Sequence, residues 1–248
     1  MNDSTVATID VLVLAGGLGS RLQGCLSGLP KPLAPVAGRP FLEHLLGWLS
    51  RQGLHRIVLA LGHRAGAVLD YLKGGRFPSL EIVTVVEPYP LGTAGALTNA
   101  LSVLHSDPIL VMNGDTLIEA SLSAFVAEHR RALGRVSMVC VRVPNTARYG
   151  RVEIDDGGRV LSFREKDPSL ATAGWINAGV YLFGRAVLDT LQNLRCGSLE
   201  RDVLAALSPG SIHAFRSESR FIDIGTPEDL NAAEGLFAQD AQRRANDY

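Results

Sequence analysis

The chain has 248 residues, 46% hydrophobic and 20% charged, enough to bury a large core without disulfide or metal staples. Its 24 basic residues nearly match 25 acidic ones, and a net charge of −1 argues against a general nucleic-acid binder, whose phosphate contacts need a basic excess. No stretch reads as a membrane span or signal peptide, and three widely spaced cysteines, Cys25, Cys140 and Cys196, fit a reduced, cytoplasmic protein; the six histidines show no metal-ligand spacing.

Residues 10–15 read as a strand that is apolar on both faces and runs into Gly16-Gly17-Leu18-Gly19-Ser20-Arg21. Glycines there let backbone N–H groups approach phosphate oxygens, and Arg21 and Lys31 of Lys31-Pro32 add fixed charge for a polyphosphate. Alone, such a turn also fits an ordinary tight strand-to-helix connection. It lacks the Gly-Lys-Ser/Thr of a P-loop and the spacing of a dinucleotide fingerprint. Helical patterns at 41–52, 64–73 and 93–104 then alternate with strands at 56–60, 80–86 and 108–112. That alternation predicts right-handed crossovers and an open, doubly wound sheet, with ligands at the carboxyl ends of its strands. The glycine turn and Asn113-Gly114-Asp115 each follow a strand, so both are expected on one rim.

Beyond residue 136 the pattern changes. Strands are expected at 136–143, 151–154, 160–164 and 176–183, with Asp155-Asp156-Gly157-Gly158 as a hairpin turn. This half is expected to form a lid over a second substrate. Segments 198–207 and 227–240 read as helices, the latter with Thr226 as N-cap, Pro227 in its first position and Glu228 and Asp229 at the positive end of its dipole. The polar tail 241–248 is expected to fray. Two acids stand out. Asp115 suits a metal site, and equally a helix N-terminus; Asp223, inside the apolar Phe221-Ile222-Asp223-Ile224, requires a partner.

These motifs, in this order over about residues 9–232, resemble the sugar-1-phosphate nucleotidyltransferases. That family writes its opening as Gly-Gly-x-Gly-Thr-Arg-Leu followed by Lys-Pro, and Ser20 here keeps the hydroxyl of the threonine. Glu87-Pro88-Tyr89-Pro90-Leu91-Gly92-Thr93 resembles its base-recognition segment. Asn113-Gly114-Asp115 and Phe221-Ile222-Asp223-Ile224-Gly225-Thr226 resemble its metal motifs, and Phe163-Arg164-Glu165-Lys166 with Tyr149-Gly150 and Ile176-Asn177-Ala178-Gly179 its sugar pocket. The resemblance implies an α/β fold: a Rossmann-like, doubly wound, mixed but mostly parallel sheet with helices on both faces. It implies no carboxyl-terminal β-helix of the kind larger members carry. It makes 1–248 a single domain, with a nucleotide-binding half at about 9–135 and a sugar-phosphate half at about 136–232.

The resemblance places Leu14, Ala15, Gly16, Gly17, Gly19, Ser20, Arg21, Lys31, Glu87, Pro90, Gly92, Thr93, Asn113 and Gly114 around the nucleotide. Tyr149, Gly150, Glu165, Lys166, Asn177, Ala178 and Gly179 fall around the sugar phosphate. Asp115 and Asp223 would hold Mg2+, or Mn2+ in its place, and Arg21 and Lys31 would join them as the catalytic set. The implied reaction joins a nucleoside triphosphate and a sugar 1-phosphate into a nucleotide sugar and pyrophosphate, for cell-surface polysaccharide. Monomer and homodimer stay open, and neither nucleic acid nor membrane is an expected partner.

The nucleobase can be argued from Glu87. Guanine offers N1–H and a 2-amino group as adjacent donors, and one carboxylate accepts both, whereas uracil and thymine suit an amide better. Glu87 therefore favours GTP, unless it is only a strand-end acid or backbone groups read the base. Ser27-Gly28-Leu29-Pro30-Lys31-Pro32 and Ser198-Leu199-Glu200-Arg201-Asp202 resemble the subgroup of guanylyltransferases acting on D-glycero-α-D-manno-heptose 1-phosphate. Mannose 1-phosphate, or another sugar with UTP or dTTP, is the alternative within the class. A catalytically silent nucleotide-sugar sensor and a glycosyltransferase are the alternatives outside it. Retention of all the charged residues argues against the sensor, and the absence of an Asp-x-Asp argues against the glycosyltransferase.

Overall fold

A computed structural model describes residues 6–22, 24–26, 28–132, 135–164 and 171–246. β1 (Val11–Ala15) leads through short 3-10 turns at Ser20–Leu22 and Lys31–Leu33 to a small hairpin, β2 (Pro35–Val36) and β3 (Arg39–Pro40). There follow α1 (Phe41–Arg51), β4 (Arg56–Leu61), α2 (Ala65–Leu72), β5 (Glu81–Val86), α3 (Gly92–Ala100) and β6 (Ile109–Asn113). The remaining elements are β7 (Thr116–Ile118), α4 (Leu122–Arg131), β8 (Val136–Val143), β9 (Arg151–Ile154), β10 (Val160–Arg164), β11 (Gly174–Phe183), α5 (Arg185–Leu191), β12 (Ile212–Ser217), β13 (Phe221–Asp223) and α6 (Pro227–Asn246).

Seven strands form one sheet in the order β12-β8-β11-β6-β1-β4-β5. β6, β1, β4 and β5 run parallel, so their carboxyl ends share a rim. β11 is antiparallel to both β6 and β8, and β12 returns parallel to β8. The sheet is therefore mixed and mostly parallel. Both faces of the interior strands are buried, which is why β1, β4, β6 and β8 are largely apolar rather than alternating, while the edge strand β12 alternates. Val11, Val13, Leu110 and Met112 pack with Leu45, Leu49 and Phe125 from α1 and α4 on one face. Leu12, Val58 and Val111 pack with Leu97 of α3 and Leu188 of α5 on the other.

The structure corrects three expectations. The second half is not mainly a lid: β8, β11 and β12 extend the central sheet, and β9–β10 and β7–β13 form separate two-stranded ribbons. Val136, Met138, Val139 and Cys140 are all buried, so β8 has the two-sided apolarity of an interior strand. Segment 198–207 is no regular helix but a π-helical turn, Leu199–Val203, followed by a 3-10 turn, Leu204–Ala206. Its buried residues, Leu199, Val203 and Leu204, suit this wider turn. The tail is helical as far as Asn246, as part of α6. The expected N-cap is present, with Asp229 N–H donating to Thr226 Oγ1 at 3.3 Å. Among the described residues no helix is long and apolar enough to cross a membrane.

Candidate active site

Four parallel strands deliver their carboxyl ends to the rim, and short backbone contacts lock the turns that follow. Gly114 N–H donates to Leu14 O (2.8 Å), His63 N–H to Gly16 O (3.1 Å) and Glu87 N–H to Leu61 O (2.7 Å). Between these turns lies a cleft of about 590 Å³ walled by Leu14, Ala15, Gly16, Gly17, Leu18, Lys31, Glu87, Pro90, Gly92, Thr93, Asn113, Gly114 and Asp115. Pro32, Gly62, His63, Pro88, Tyr89 and Ala96 complete the wall. The Glu87 carboxylate packs directly on Gly16, where a Cβ would stand 2.5 Å from Oε1 and would displace it. Without that side chain the Glu87 carboxylate lies across the glycine turn, its Oε2 accepting from Leu91 N–H at 3.1 Å. Burial pushes the Glu87 pKa up, and the Leu91 N–H opposes the shift.

A second cleft of about 450 Å³ opens beside the first, lined by Gly19, Ser20, Arg21, Lys31, Asn113, Asp115, Thr116, Tyr149, Asn177, Gly179, Glu200, Phe221, Asp223 and Gly225. Lys31, Asn113 and Asp115 belong to both walls. Lys31 Nζ meets Asp115 Oδ2 at 2.6 Å, with the lysine side chain 15% and the aspartate 36% exposed. Asp223 reaches the same cleft because β13 pairs with β7, setting Asp223 opposite Thr116, and Ile224 N–H donates to Asp115 O at 3.0 Å. Burial first, and the Asp115 carboxylate second, raise the Asp223 pKa to about 6, against the pull of Lys31. Two carboxylates thus face one cleft with incomplete compensation. This donor set fits a magnesium-type cation, which takes one or two protein carboxylates and completes its shell from phosphates and water.

β11 supplies the opposite wall through an irregularity. Its pairing with β8 shifts register between Asn177 and Tyr181. Gly179, within the shift, has φ +71°, and a Cβ there would stand 2.6 Å from Asn113 Nδ2. Only glycine allows β11 to pass so close to the end of β6, and the distortion aims Asn177 at the cleft. Asn113 Oδ1 is buried and has no hydrogen-bond partner among the described residues.

The expected site residues separate in a definite way. The first cleft gathers most of those expected around the nucleotide, but Gly19, Ser20 and Arg21 line the second, with the exposed Arg21 on its rim. Tyr149, Asn177 and Gly179 line the second cleft, while Gly150 and Ala178 line neither; Ala178 is buried and its carbonyl accepts from Thr116 Oγ1 at 3.3 Å. Glu165 and Lys166 lie outside the described residues. Sequence reasoning gave no site role to His63, or to Glu200, which it met only as part of the Ser198–Asp202 resemblance. His63 follows the carboxyl end of β4, so the strand-end rule that found Asp115 would have found it. Glu200 had no such signal, because its turn looked like an ordinary helix.

The chain belongs to the nucleotidyl transferase family, whose model matches residues 10–239. It is 36% identical over 225 residues to the mannose-1-phosphate guanylyltransferase of Mycobacterium tuberculosis, an alignment covering 90% of this chain and 62% of that one. The chain thus spans less than two thirds of that relative. It is 32% identical over 227 residues to the D-glycero-alpha-D-manno-heptose 1-phosphate guanylyltransferase of Aneurinibacillus thermoaerophilus, covering 91% of this chain and 97% of the other. Among solved structures, HddC from Yersinia pseudotuberculosis superposes with a TM-score of 0.84 at 33% identity, over 93% of this chain and all of that one. The same protein complexed with GMP-PN superposes with a TM-score of 0.82.

Proposed function

We propose that this protein transfers GMP from GTP to a sugar 1-phosphate, with D-glycero-α-D-manno-heptose 1-phosphate as the acceptor, giving GDP-heptose and pyrophosphate. The observation that carries the reading is the shared wall: Lys31, Asn113 and Asp115 border both clefts, so substrates filling the two would meet there. The heptose is favoured because the A. thermoaerophilus relative of that name is matched over 97% of its length. Guanine is favoured by the Glu87 carboxylate and by the guanine nucleotide in the superposable HddC complex.

In this reading an oxygen of the sugar phosphate attacks the α-phosphorus of GTP in line, and the bond to the β-phosphate oxygen breaks. Both attacking and leaving groups are already phosphates, so no protein nucleophile is needed, and the side chains act by position and charge. Lys31 steadies the α-phosphate from between the clefts, and Arg21, on the rim of the second cleft, adds fixed positive charge for the phosphates. Glu87 accepts the guanine donors, and Tyr149 and Asn177 hold the sugar. Asp115 and Asp223 would hold Mg2+ or Mn2+, which would supply neutralising charge for the phosphates at the transfer point. The reading sets the protein in the cytoplasm, where it would make a nucleotide sugar for cell-surface polysaccharide.

The test is pyrophosphate release with Mg2+, across GTP, UTP, dTTP, CTP and ATP, against a panel of sugar 1-phosphates. Release confined to GTP with the heptose phosphate supports the proposal. Preference for mannose 1-phosphate would install the second reading, which the M. tuberculosis relative favours. Silence with every pair would sink catalysis and leave a nucleotide-sugar sensor.

A further inference from the structure

Beside the reacting groups runs a chain of hydrogen bonds that joins the two clefts. Asn177, at the second cleft, donates from Nδ2 to Tyr181 Oη at 2.8 Å. Tyr181 Oη donates to Glu200 Oε1 at 3.2 Å, and Thr93 Oγ1, at the first cleft, donates to Glu200 Oε2 at 3.3 Å. Ser198 Oγ adds a third donor to the carboxylate, at Oε2 and 3.0 Å.

The direction of each bond is fixed from the ends. Gly179 N–H, which can only donate, reaches Asn177 Oδ1 at 2.8 Å. That sets the amide's orientation, so its nitrogen faces Tyr181 and the tyrosine proton must go on to Glu200. Leu199 N–H reaches Thr93 Oγ1 at 2.7 Å, so the threonine proton also points to Glu200. Tyr181 is fully buried, and burial with the nearby Glu200 charge raises its pKa well above the ordinary value, keeping the phenol a donor. Every donor in the chain converges on one carboxylate.

We infer that Glu200 is a positioning residue that fixes the orientation of Asn177 toward the sugar phosphate and ties it to Thr93 in the nucleotide cleft. The inference rests on the two-substrate reading above. Glu200 borders the second cleft, but its oxygens already serve three hydroxyls, so it acts through Asn177 rather than on the sugar directly. A glutamine at this position would present an N–H2 to one arm of the chain and break it.

Steady-state pyrophosphate release tests this in four proteins: wild type, Glu200→Gln, Thr93→Val and the double variant. In Glu200→Gln the KM for sugar phosphate should rise about tenfold, the loss expected for one buried hydrogen bond, with kcat and the KM for GTP within about threefold of wild type. Thr93→Val should also raise the sugar-phosphate KM, although Thr93 borders the other cleft. The double variant should match Glu200→Gln rather than multiply the two effects. An unchanged sugar-phosphate KM in Glu200→Gln would overturn the inference, as would independent effects in the double variant. A parallel rise of both KM values with a lower melting temperature would do the same by marking a merely structural role. If Glu200→Gln does not fold, Thr93→Val decides alone, and a change confined to the KM for GTP refutes the coupling. An inactive wild type would instead remove the two-substrate reading, and the inference with it.

Discussion

Asp223 shows the tension between site and stability at the scale of one residue. Its folded pKa of about 6 lies above the unfolded value of ~3.9. A raised carboxylate pKa contributes stability at low pH, and that contribution is lost as pH rises through the folded value. At pH 8 the ligand-free protein therefore holds an ionised Asp223 that burial and Asp115 both disfavour. Asp223→Asn should raise the melting temperature at pH 8 by several degrees, about 2 kcal/mol, while abolishing pyrophosphate release. The same variant at pH 4.5 should gain only about a third as much, a comparison that thermal denaturation at the two pH values would make directly. Glu87 carries a second prediction. Its carboxylate lies across the Gly16 turn with Oε2 held by Leu91 N–H, so a change to glutamine is nearly isosteric but presents an amide to the base. Glu87→Gln should lower the ratio of GTP to UTP rates by about tenfold or more, on the scale of one mismatched hydrogen bond. A ratio equal to wild type in the same assay would remove Glu87 as the base reader.

At the scale of elements, the bend in β11 decides whether the second cleft exists. Gly179 sits at φ +71° against the Asn113 amide, so a methyl group meets both backbone strain and a clash. Gly179→Ala should cost about 2 kcal/mol in chemical denaturation and raise the KM for sugar phosphate, because Asn177 and Asn113 must both move. The motif Asn177-Ala178-Gly179 was visible in the sequence, but the register shift that gives it meaning was not. Strand ends were the legible part. β8, β9 and β10 fall where alternation and turn residues predicted them, and β1, β4, β5 and β6 within a residue or so. The apolar runs of β1, β4, β6 and β8 are dictated by burial on both faces, a strong local signal, whereas β9 and β10 lie in a partly exposed ribbon and were marked by the turn between them. α4, α5 and β12 were not read, since their apolar stripes are short and make sense only once the sheet is there to receive them. Gly19, Ser20 and Arg21 illustrate the same limit at the site. Their sequence places them beside the phosphate turn, yet the 3-10 turn at Ser20–Leu22 carries them to the neighbouring cleft. The ribbon of β7 and β13 brings Asp223 to Asp115 across 108 positions of chain, a pairing that only the motif resemblance anticipated.

For the whole molecule, the active rim and the far packing of α4 push stability in opposite directions with pH. His129 of α4 is buried, with Nδ1 2.7 Å from Ser137 Oγ of β8, and burial holds its pKa below the ordinary value. Nearby, His213 Nε2 meets Glu128 Oε1 at 2.6 Å; His213 and Arg130 push the His129 pKa further down, and Asp107 opposes them. A depressed histidine pKa means that the unfolded chain takes up a proton that the folded chain refuses. Stability is therefore full above about 6.5, the unfolded value, and falls as pH drops below it. Asp223 works the other way, losing stability as pH climbs through about 6. The aspartate's loss runs from about 3.9 to about 6, the same span in which the histidine's contribution rises, so these two groups together should flatten the ligand-free protein's melting temperature between about pH 4 and 6.5. Each contribution has its own variant: Asp223→Asn should uncover the histidine's loss as pH falls below about 6.5, and His129→Asn, from a lower starting stability, should uncover the aspartate's loss as pH climbs from about 4 to about 6. Adding GTP with Mg2+ should raise the wild-type melting temperature more at pH 8 than at pH 4.5, because a bound dication answers the charge that Asp115 and Asp223 share. If neither Asp223→Asn nor the nucleotide with Mg2+ raises the melting temperature more at pH 8 than at pH 4.5, the strain does not reside in that carboxylate pair, and the pair loses its claim to the metal.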